Sequence, residues 1–155
     1  MKPSTIAWAV TAGAAALATL GTKPQTTWYQ QLDKPNWQPP AFVFPLVWTP
    51  LYAAIGWAGG RALTVATQNG QSDEYLAVFS SNLALNAGWC WAFFTAESPA
   101  AGLATIGALN VANLKLLQDT WRRDQSAGKA LLPYVIWTGF ATALNANIWW
   151  RNRSQ

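Results

Sequence analysis

The sixteen Lys, Arg, Asp and Glu residues of this 155-residue chain are placed so that five long stretches carry no charge. These are Pro3–Thr22, Asn36–Gly60, Tyr75–Ala96, Ser98–Leu114 and Ala130–Trp150, of 20, 25, 22, 17 and 21 residues. A helix crosses a hydrocarbon core with about 20 mostly apolar residues, the usual range being roughly 17 to 25. A water-soluble globule of this size has too much surface to leave five such stretches uncharged, which counts against a soluble bundle of all-round buried helices. The mean hydropathy is only +0.08, because Trp, Asn, Gln, Gly and Pro lower the score while remaining compatible with membrane interfaces and helix contacts in lipid.

The expected architecture is therefore an all-α membrane protein, one integral domain over residues 1–155. It has five transmembrane helices near 4–21, 42–66, 75–96, 99–122 and 130–151 and a long first loop near 22–41. Pro24, Pro35, Pro39 and Pro40 rule out a regular helix across that loop, since proline removes a backbone donor and displaces the residue before it. Short connections are expected at 68–74, at Glu97-Ser98-Pro99 and over Arg122–Lys129 with Gly128. The 4–22 segment, preceded by Lys2, is similar to a secretory signal, and we read it as a retained first helix. Basic residues number five on the N-terminal side against four on the other, so charge does not orient the chain. Small residues recur at i+4 as Gly56/Gly60, Ala84/Gly88 and Ala100/Ala104/Ala108/Ala112, a spacing that lets helix backbones approach in lipid.

Several chemistries are poorly supplied. There is no histidine and one cysteine, which removes internal disulfides and the usual histidine-based metal, haem and general-base sites. Cys90, between Trp89 and Trp91, has no base or cation nearby in sequence and reads as a small apolar side chain. The six acids, Asp33, Asp73, Glu74, Glu97, Asp119 and Asp124, all fall in loops or at helix ends. A proton-coupled carrier ordinarily buries a carboxylate in a span. There is no Gly-rich phosphate loop. The net charge of +4 suits lipid headgroups better than nucleic acid, for which no basic patch with spaced aromatics exists.

What the chain does supply is tryptophan and intramembrane amide. Of eleven tryptophans, Trp8, Trp121, Trp149 and Trp150 lie near helix ends as interfacial anchors. Trp48, Trp89, Trp91 and Trp137 lie deeper, where an indole N–H needs a partner. Asn82, Asn86, Asn110, Asn113, Asn145 and Asn147 sit within expected spans, and polar groups at such depth face the bundle interior. Asn86 shares a face with Trp89 and Cys90, and Asn145 with Trp137, Ala141 and Leu144. Both are expected to line a cavity for a flat ligand. Asn82, Asn110 and Asn113 are expected either there or in plain helix–helix bonds.

The run Trp28-Tyr29, Leu32, Lys34-Pro35, Trp37, Pro39-Pro40, Phe44, Trp48 and Leu51-Tyr52 resembles the pattern of the translocator protein, or tryptophan-rich sensory protein (TspO/MBR), family. So do Leu85-Asn86, Trp89 and Phe93-Phe94, followed by Pro133-Tyr134, Trp137, Leu144-Asn145 and Arg151. The resemblance implies a five-helix membrane protein, commonly a homodimer, whose ligand cavity is roofed by the first loop. It implies binding of porphyrins such as protoporphyrin IX, of drug-like isoquinoline carboxamides and benzodiazepines, and in some members of sterols. The implied lining is Tyr29, Pro39, Phe44, Trp48, Tyr52, Asn86, Trp89, Cys90, Trp137, Ala141, Leu144 and Asn145, with no cofactor required and no metal. Sterol-binding members carry Tyr after the Leu-Asn of the last helix. Here that position is Ala146, which departs from the sterol pattern.

The expected function is then a sensor, carrier or regulator of tetrapyrrole levels. Two alternatives stand beside it: a light-dependent porphyrin-degrading enzyme with Trp48 and Trp137 as redox partners, and a channel for lipophilic molecules.

Overall fold

In the computed structural model, which describes residues 1–154, the charge-free stretches fold as helices. Helix α1 spans Pro3–Gly21, α2 Thr27–Gln31, α3 Val43–Gln68, α4 Ser72–Cys90, α5 Pro99–Arg123 and α6 Gln125–Asn152. A π-helical turn, Trp91–Thr95, prolongs α4. Every regular element among the described residues is helical, and the count is six rather than the five expected. The extra one, α2, lies in the first loop between Pro24 and Pro35, where the prolines leave room for a single turn. Thr26 caps it, its hydroxyl oxygen accepting from the Tyr29 N–H at 3.3 Å, and Leu32 ends it in an extended conformation.

The connection between the last two helices also differs from expectation. Arg122–Lys129 is not a loop: Asp124 alone separates α5 from α6. It takes an extended conformation, and its carboxylate accepts from the Ala127 N–H at 2.9 Å, a side-chain N-cap. Gly128 belongs to α6, where a Cβ would come within 2.9 Å of the Trp121 Cα. It allows the two helices to fold back on one another one turn from their junction.

The same carboxylate pairs with Arg61 of α3 at 2.7 Å. The Ala127 N–H first, and then Arg61, hold the Asp124 carboxyl below the usual carboxylate range. A depressed folded-state pKa gives stability that is complete above the unfolded value of about 3.9 and is lost as pH falls through the folded one. Asp124→Asn is therefore expected to lower the melting temperature in detergent by a constant amount from pH 7 to about pH 5. The gap should close below about pH 4, and a gap unchanged there would contradict the assignment.

Helices α1 and α3 touch through small residues. A Cβ on Gly56 would sit 2.3 Å from the Trp8 ring, and one on Gly60 3.2 Å from the Ser4 Cα. The GxxxG pair thus joins helices within the chain. Ala100, Ala104 and Ala108 face outward on α5. Toward the α1 C-terminus and the α3 N-terminus the two helices face a common cavity.

Burial runs against the pattern of a soluble protein. Val111 and Ile136 are 70% and 71% exposed, and Leu46, Leu114 and Trp150 are exposed as well, while Asn82, Asn86, Asn113 and Asn145 are at most 2% exposed. By length and composition alone, α1 and α5 are apolar enough to cross a membrane. Asn, Trp, Gly and polar first turns hold the other long helices below that mark.

Candidate functional site

Beneath the first loop lies a cavity of about 450 Å³, within the roughly 300–1,000 Å³ typical of small-molecule sites. Its walls come from the C-terminal end of α1, the loop, the N-terminal half of α3, the end of α4 with its π-helical turn, and the C-terminal half of α6. Nine of the twelve expected residues line it: Tyr29, Phe44, Trp48, Tyr52, Trp89, Cys90, Ala141, Leu144 and Asn145. Pro39, Asn86 and Trp137 do not.

Asn86 is displaced from the expected role by its own hydrogen bonds. It is 2% exposed, its Oδ1 accepts from the Tyr52 hydroxyl at 2.7 Å, and its Nδ2 donates to the Tyr134 hydroxyl at 3.0 Å. Tyr134 donates in turn to Asn82 Oδ1 at 2.9 Å, and Asn82 Nδ2 to Asn113 Oδ1 at 2.7 Å. This chain crosses α3, α4, α6 and α5 and forms the polar floor under the cavity. Asn86 thus acts on the site through Tyr52, which it holds by the hydroxyl. Asn82 and Asn113 bond helices together, as does Asn110, which donates to the Thr142 hydroxyl at 2.8 Å.

Trp137 lies behind the wall, its ring edge-on to Phe44 with centroids 6.1 Å apart and tilted on Phe140 at 5.1 Å. Trp37 of the loop packs against the other side of Phe140 at 5.8 Å. The tryptophan expected to touch ligand instead belongs to an aromatic seam that holds the lid on α6.

On the opposite wall, Trp89 donates its indole N–H to Asn145 Oδ1 at 2.9 Å, and Asn145 Nδ2 donates to the Pro99 carbonyl at 2.9 Å. Gly102 makes this possible, since a Cβ there would stand 2.8 Å from Asn145 Oδ1 and 3.0 Å from Phe93. The π-helical turn does a related job. Its wide i→i+5 bonds, Ala96 N–H to Trp91 O at 2.8 Å and Ser98 N–H to Phe93 O at 3.2 Å, rotate two successive side chains, Phe93 and Phe94, onto the wall. Beyond it Glu97 adopts φ 53°, and Ser98 caps α5 by accepting from the Ala101 N–H at 3.0 Å.

The lid is tied to the end of α6 at Asp33. The Asp33 N–H donates to Asn152 Oδ1 and Asn152 Nδ2 to the Asp33 carbonyl, each at 2.9 Å, with Arg151 3.5 Å from the Asp33 carboxylate. Inside the loop Lys34 donates to the Tyr29 carbonyl at 2.5 Å and lies 4.4 Å from the Tyr29 ring centre. Burial pushes the Tyr29 hydroxyl up and the Lys34 ammonium down from their ordinary values. The ion pair is exposed and contributes little, so the Asn152 pairing is the stronger tie. Asn152→Ala is expected to speed ligand dissociation about tenfold and to expose the 30–36 backbone amides to hydrogen exchange. Unchanged exchange would show that the tie does not hold the lid.

Sequence reasoning missed Ala18 and Thr19 of α1 with Thr22 just beyond it, Pro24, Gln38, Ala41 and Pro45 in or near the loop, and Phe93, Phe94 and Ile148 on the wall. Phe93 and Phe94 carried a signal as an aromatic pair after Trp89. The α1 end carried none, because Ala and Thr there look like any helix end.

An all-helical protein with an aromatic cavity under a proline-rich lid is the class these features define. A profile of the TspO/MBR family matches residues 5–151, and the chain belongs to that family. It is 38% identical to the tryptophan-rich sensory protein of Cereibacter sphaeroides over 86% of this chain and 83% of that one. It is 34% identical to the tryptophan-rich protein TspO of Chlorobaculum tepidum, covering 84% and 83%. With the human translocator protein it shares 31% identity over 79% and 73%.

Proposed function

We propose that the chain is a multi-pass integral membrane protein, its five long helices spanning the bilayer. In this reading it binds a flat tetrapyrrole such as protoporphyrin IX in the cavity and acts as a sensor, carrier or regulator of tetrapyrrole levels. The observation that carries the reading is the cavity wall, where Phe44, Trp48, Tyr52, Trp89, Phe93 and Phe94 present aromatic surface with few polar atoms. A macrocycle with two wide apolar faces is matched by such a wall. Exposed apolar side chains around a polar-cored bundle support the membrane part, and relatives named sensory protein and translocator protein support the regulatory part.

The floor favours sequestration over conduction. Tyr52, Asn86, Tyr134, Asn82 and Asn113 bond to one another across the bundle, and Leu51, Ile55 and Leu83 are packed around them, so a ligand in the cavity meets a closed end. Purified protein in detergent is expected to retain about one protoporphyrin IX per chain through gel filtration, with a shifted Soret band. Proteoliposomes should show no porphyrin flux above empty vesicles. Failure to retain porphyrin would refute the binding reading, and flux at saturating ligand would favour a channel.

One observation favours a second reading. Trp48 lies on the cavity wall, in reach of an excited macrocycle, so light-driven porphyrin degradation would run through Trp48, with Trp137 one ring further back behind Phe44. Under illumination, porphyrin decay equal in the wild type and in a Trp48→Phe variant that still binds would remove this reading.

A further inference from the structure

The lidded cavity occupies one end of the bundle. Toward the other end, the outer face of α5 carries a shallow groove of about 340 Å³ lined by Leu114, Leu117, Gln118, Trp121 and Arg122. These residues recur at i, i+3, i+4, i+7 and i+8, so they form one stripe of the helix, with Leu114 about 12 Å from Arg122 along its axis. The stripe is graded. Leu114, 63% exposed, and Leu117 make its apolar half, and Gln118, Trp121 and Arg122 make a polar half that reaches the last turn of α5.

The fold leaves that polar half unused. Among the described residues, the Arg122 guanidinium, the Gln118 amide and the Trp121 indole N–H have no hydrogen-bond partner, and Arg122 has no carboxylate within ion-pair distance. Arg123, by contrast, turns inward. It donates to the Asp119 carbonyl at 3.0 Å and to Gln71 Oε1 at 3.2 Å, and it lies 5.3 Å from the Tyr75 ring centre. Two acids at this end are already paired, Asp119 with Lys115 at 3.0 Å and Asp124 with Arg61 at 2.7 Å. Asp73 and Glu74 lie in the first turn of α4, the helix on which Arg123 packs. Lys129 adds a second exposed cation, next in the chain to Gly128, which packs on Trp121.

We infer that this groove holds an anionic phospholipid, its phosphate at Arg122, Gln118 and Trp121 and one acyl chain along Leu117 and Leu114. The inference rests on the reading of the five long helices as membrane spans and is independent of what the cavity binds. A phosphodiester only accepts hydrogen bonds, so it matches three side chains that each carry an N–H without an acceptor. A guanidinium takes phosphate through paired, charge-assisted bonds, and a tryptophan at the helix end sits at headgroup level. A choline headgroup would bring its own cation up to Arg122 and Lys129. The site therefore selects lipid of net negative charge, such as phosphatidylglycerol.

The test is native mass spectrometry of detergent-purified protein incubated with equimolar phosphatidylglycerol and phosphatidylcholine of matched acyl chains. The wild type is expected to retain phosphatidylglycerol by about fivefold over phosphatidylcholine, the preference that one basic side chain gives at a membrane surface. Arg122→Gln should reduce this below about twofold. Arg153→Gln, which removes a cation packed on Trp150 at the opposite end, should leave it unchanged. Leu114→Trp keeps the charge and fills the groove, and should lower retention of the first phosphatidylglycerol by a similar factor. Equal retention of the two lipids by the wild type, or a preference that survives Arg122→Gln, overturns the inference and leaves the membrane reading standing. So does a second copy of the chain in the groove, seen as a dimer that excludes lipid and that Leu114→Trp breaks. Retention of neither lipid overturns it as well, and overturns the membrane reading with it if the protein stays in solution without detergent.

Discussion

Asn86→Leu is expected to be the most damaging single substitution in the bundle interior, lowering stability by about 2–3 kcal/mol and weakening ligand binding together with it. Leucine keeps the branching and the number of heavy atoms of asparagine, so the effect is mainly one of hydrogen bonding. The Tyr52 hydroxyl loses the acceptor at 2.7 Å, and Tyr134 loses a donor at 3.0 Å. Both hydroxyls are held inside the bundle, and a buried polar group left without a partner costs more than the lost bond gained. Interhelical hydrogen bonds in membrane proteins are often worth less than 1 kcal/mol each, because the unfolded state in lipid finds other partners. Here two are lost at one residue and a third, Tyr134 to Asn82, loses its support. Asn113→Leu is the control: its Nδ2 already has no partner, so only the bond from Asn82 is lost, and the drop should be under half as large. Thermal unfolding in detergent reads both, and equal losses would mean that the chain from Tyr52 to Asn113 does not act as one network.

Ala141→Leu is expected to separate binding from folding. Ala141 is 4% exposed and lines the cavity from α6, while its other side packs on Ile106 and Leu109 of α5. A leucine can place its added carbons only in the cavity or against α5. Overpacking of this kind costs about 1–3 kcal/mol, a cost the empty cavity lowers by giving the side chain somewhere to go. A rigid macrocycle cannot share that volume, so ligand affinity should fall on the order of a hundredfold, since each 1.4 kcal/mol is tenfold. Circular dichroism and melting temperature should stay near wild type. If affinity is unchanged, the ligand does not occupy the space in front of Ala141.

Much of this was legible before the structure because charge placement is a coarse and reliable signal. Five uncharged stretches located five long helices, and Pro24, Pro35, Pro39 and Pro40 located the lid. Boundaries failed where local hydrogen bonding decided them. Asp124 ends one helix and caps the next through a single carboxylate, and its neighbours Gln125–Lys129 look like a polar loop in sequence. Helix α2 is one turn fitted between prolines, below the length at which any periodicity shows.

The asparagines divide on a distinction the chain alone does not carry. Asn86 and Asn145 each share a helix face with cavity residues, but whether a side chain faces the cavity or a tyrosine on another helix depends on how the helices pack. Tyr52 and Tyr134 turn Asn86 inward, whereas Trp89 and the Pro99 carbonyl leave Asn145 on the wall. Trp137 lies off the cavity lining for a similar reason. It lies one turn from Ala141, yet its ring packs on Phe44 and on Phe140, which in turn meets Trp37 of the lid.

Titration of tryptophan fluorescence with protoporphyrin IX in detergent, run on the wild type and Ala141→Leu, tests the cavity as the ligand site most directly. Saturable quenching at about one porphyrin per chain is predicted for the wild type, with the midpoint displaced on the order of a hundredfold in the variant. Linear, non-saturating quenching, or superimposable curves for the two proteins, would contradict it.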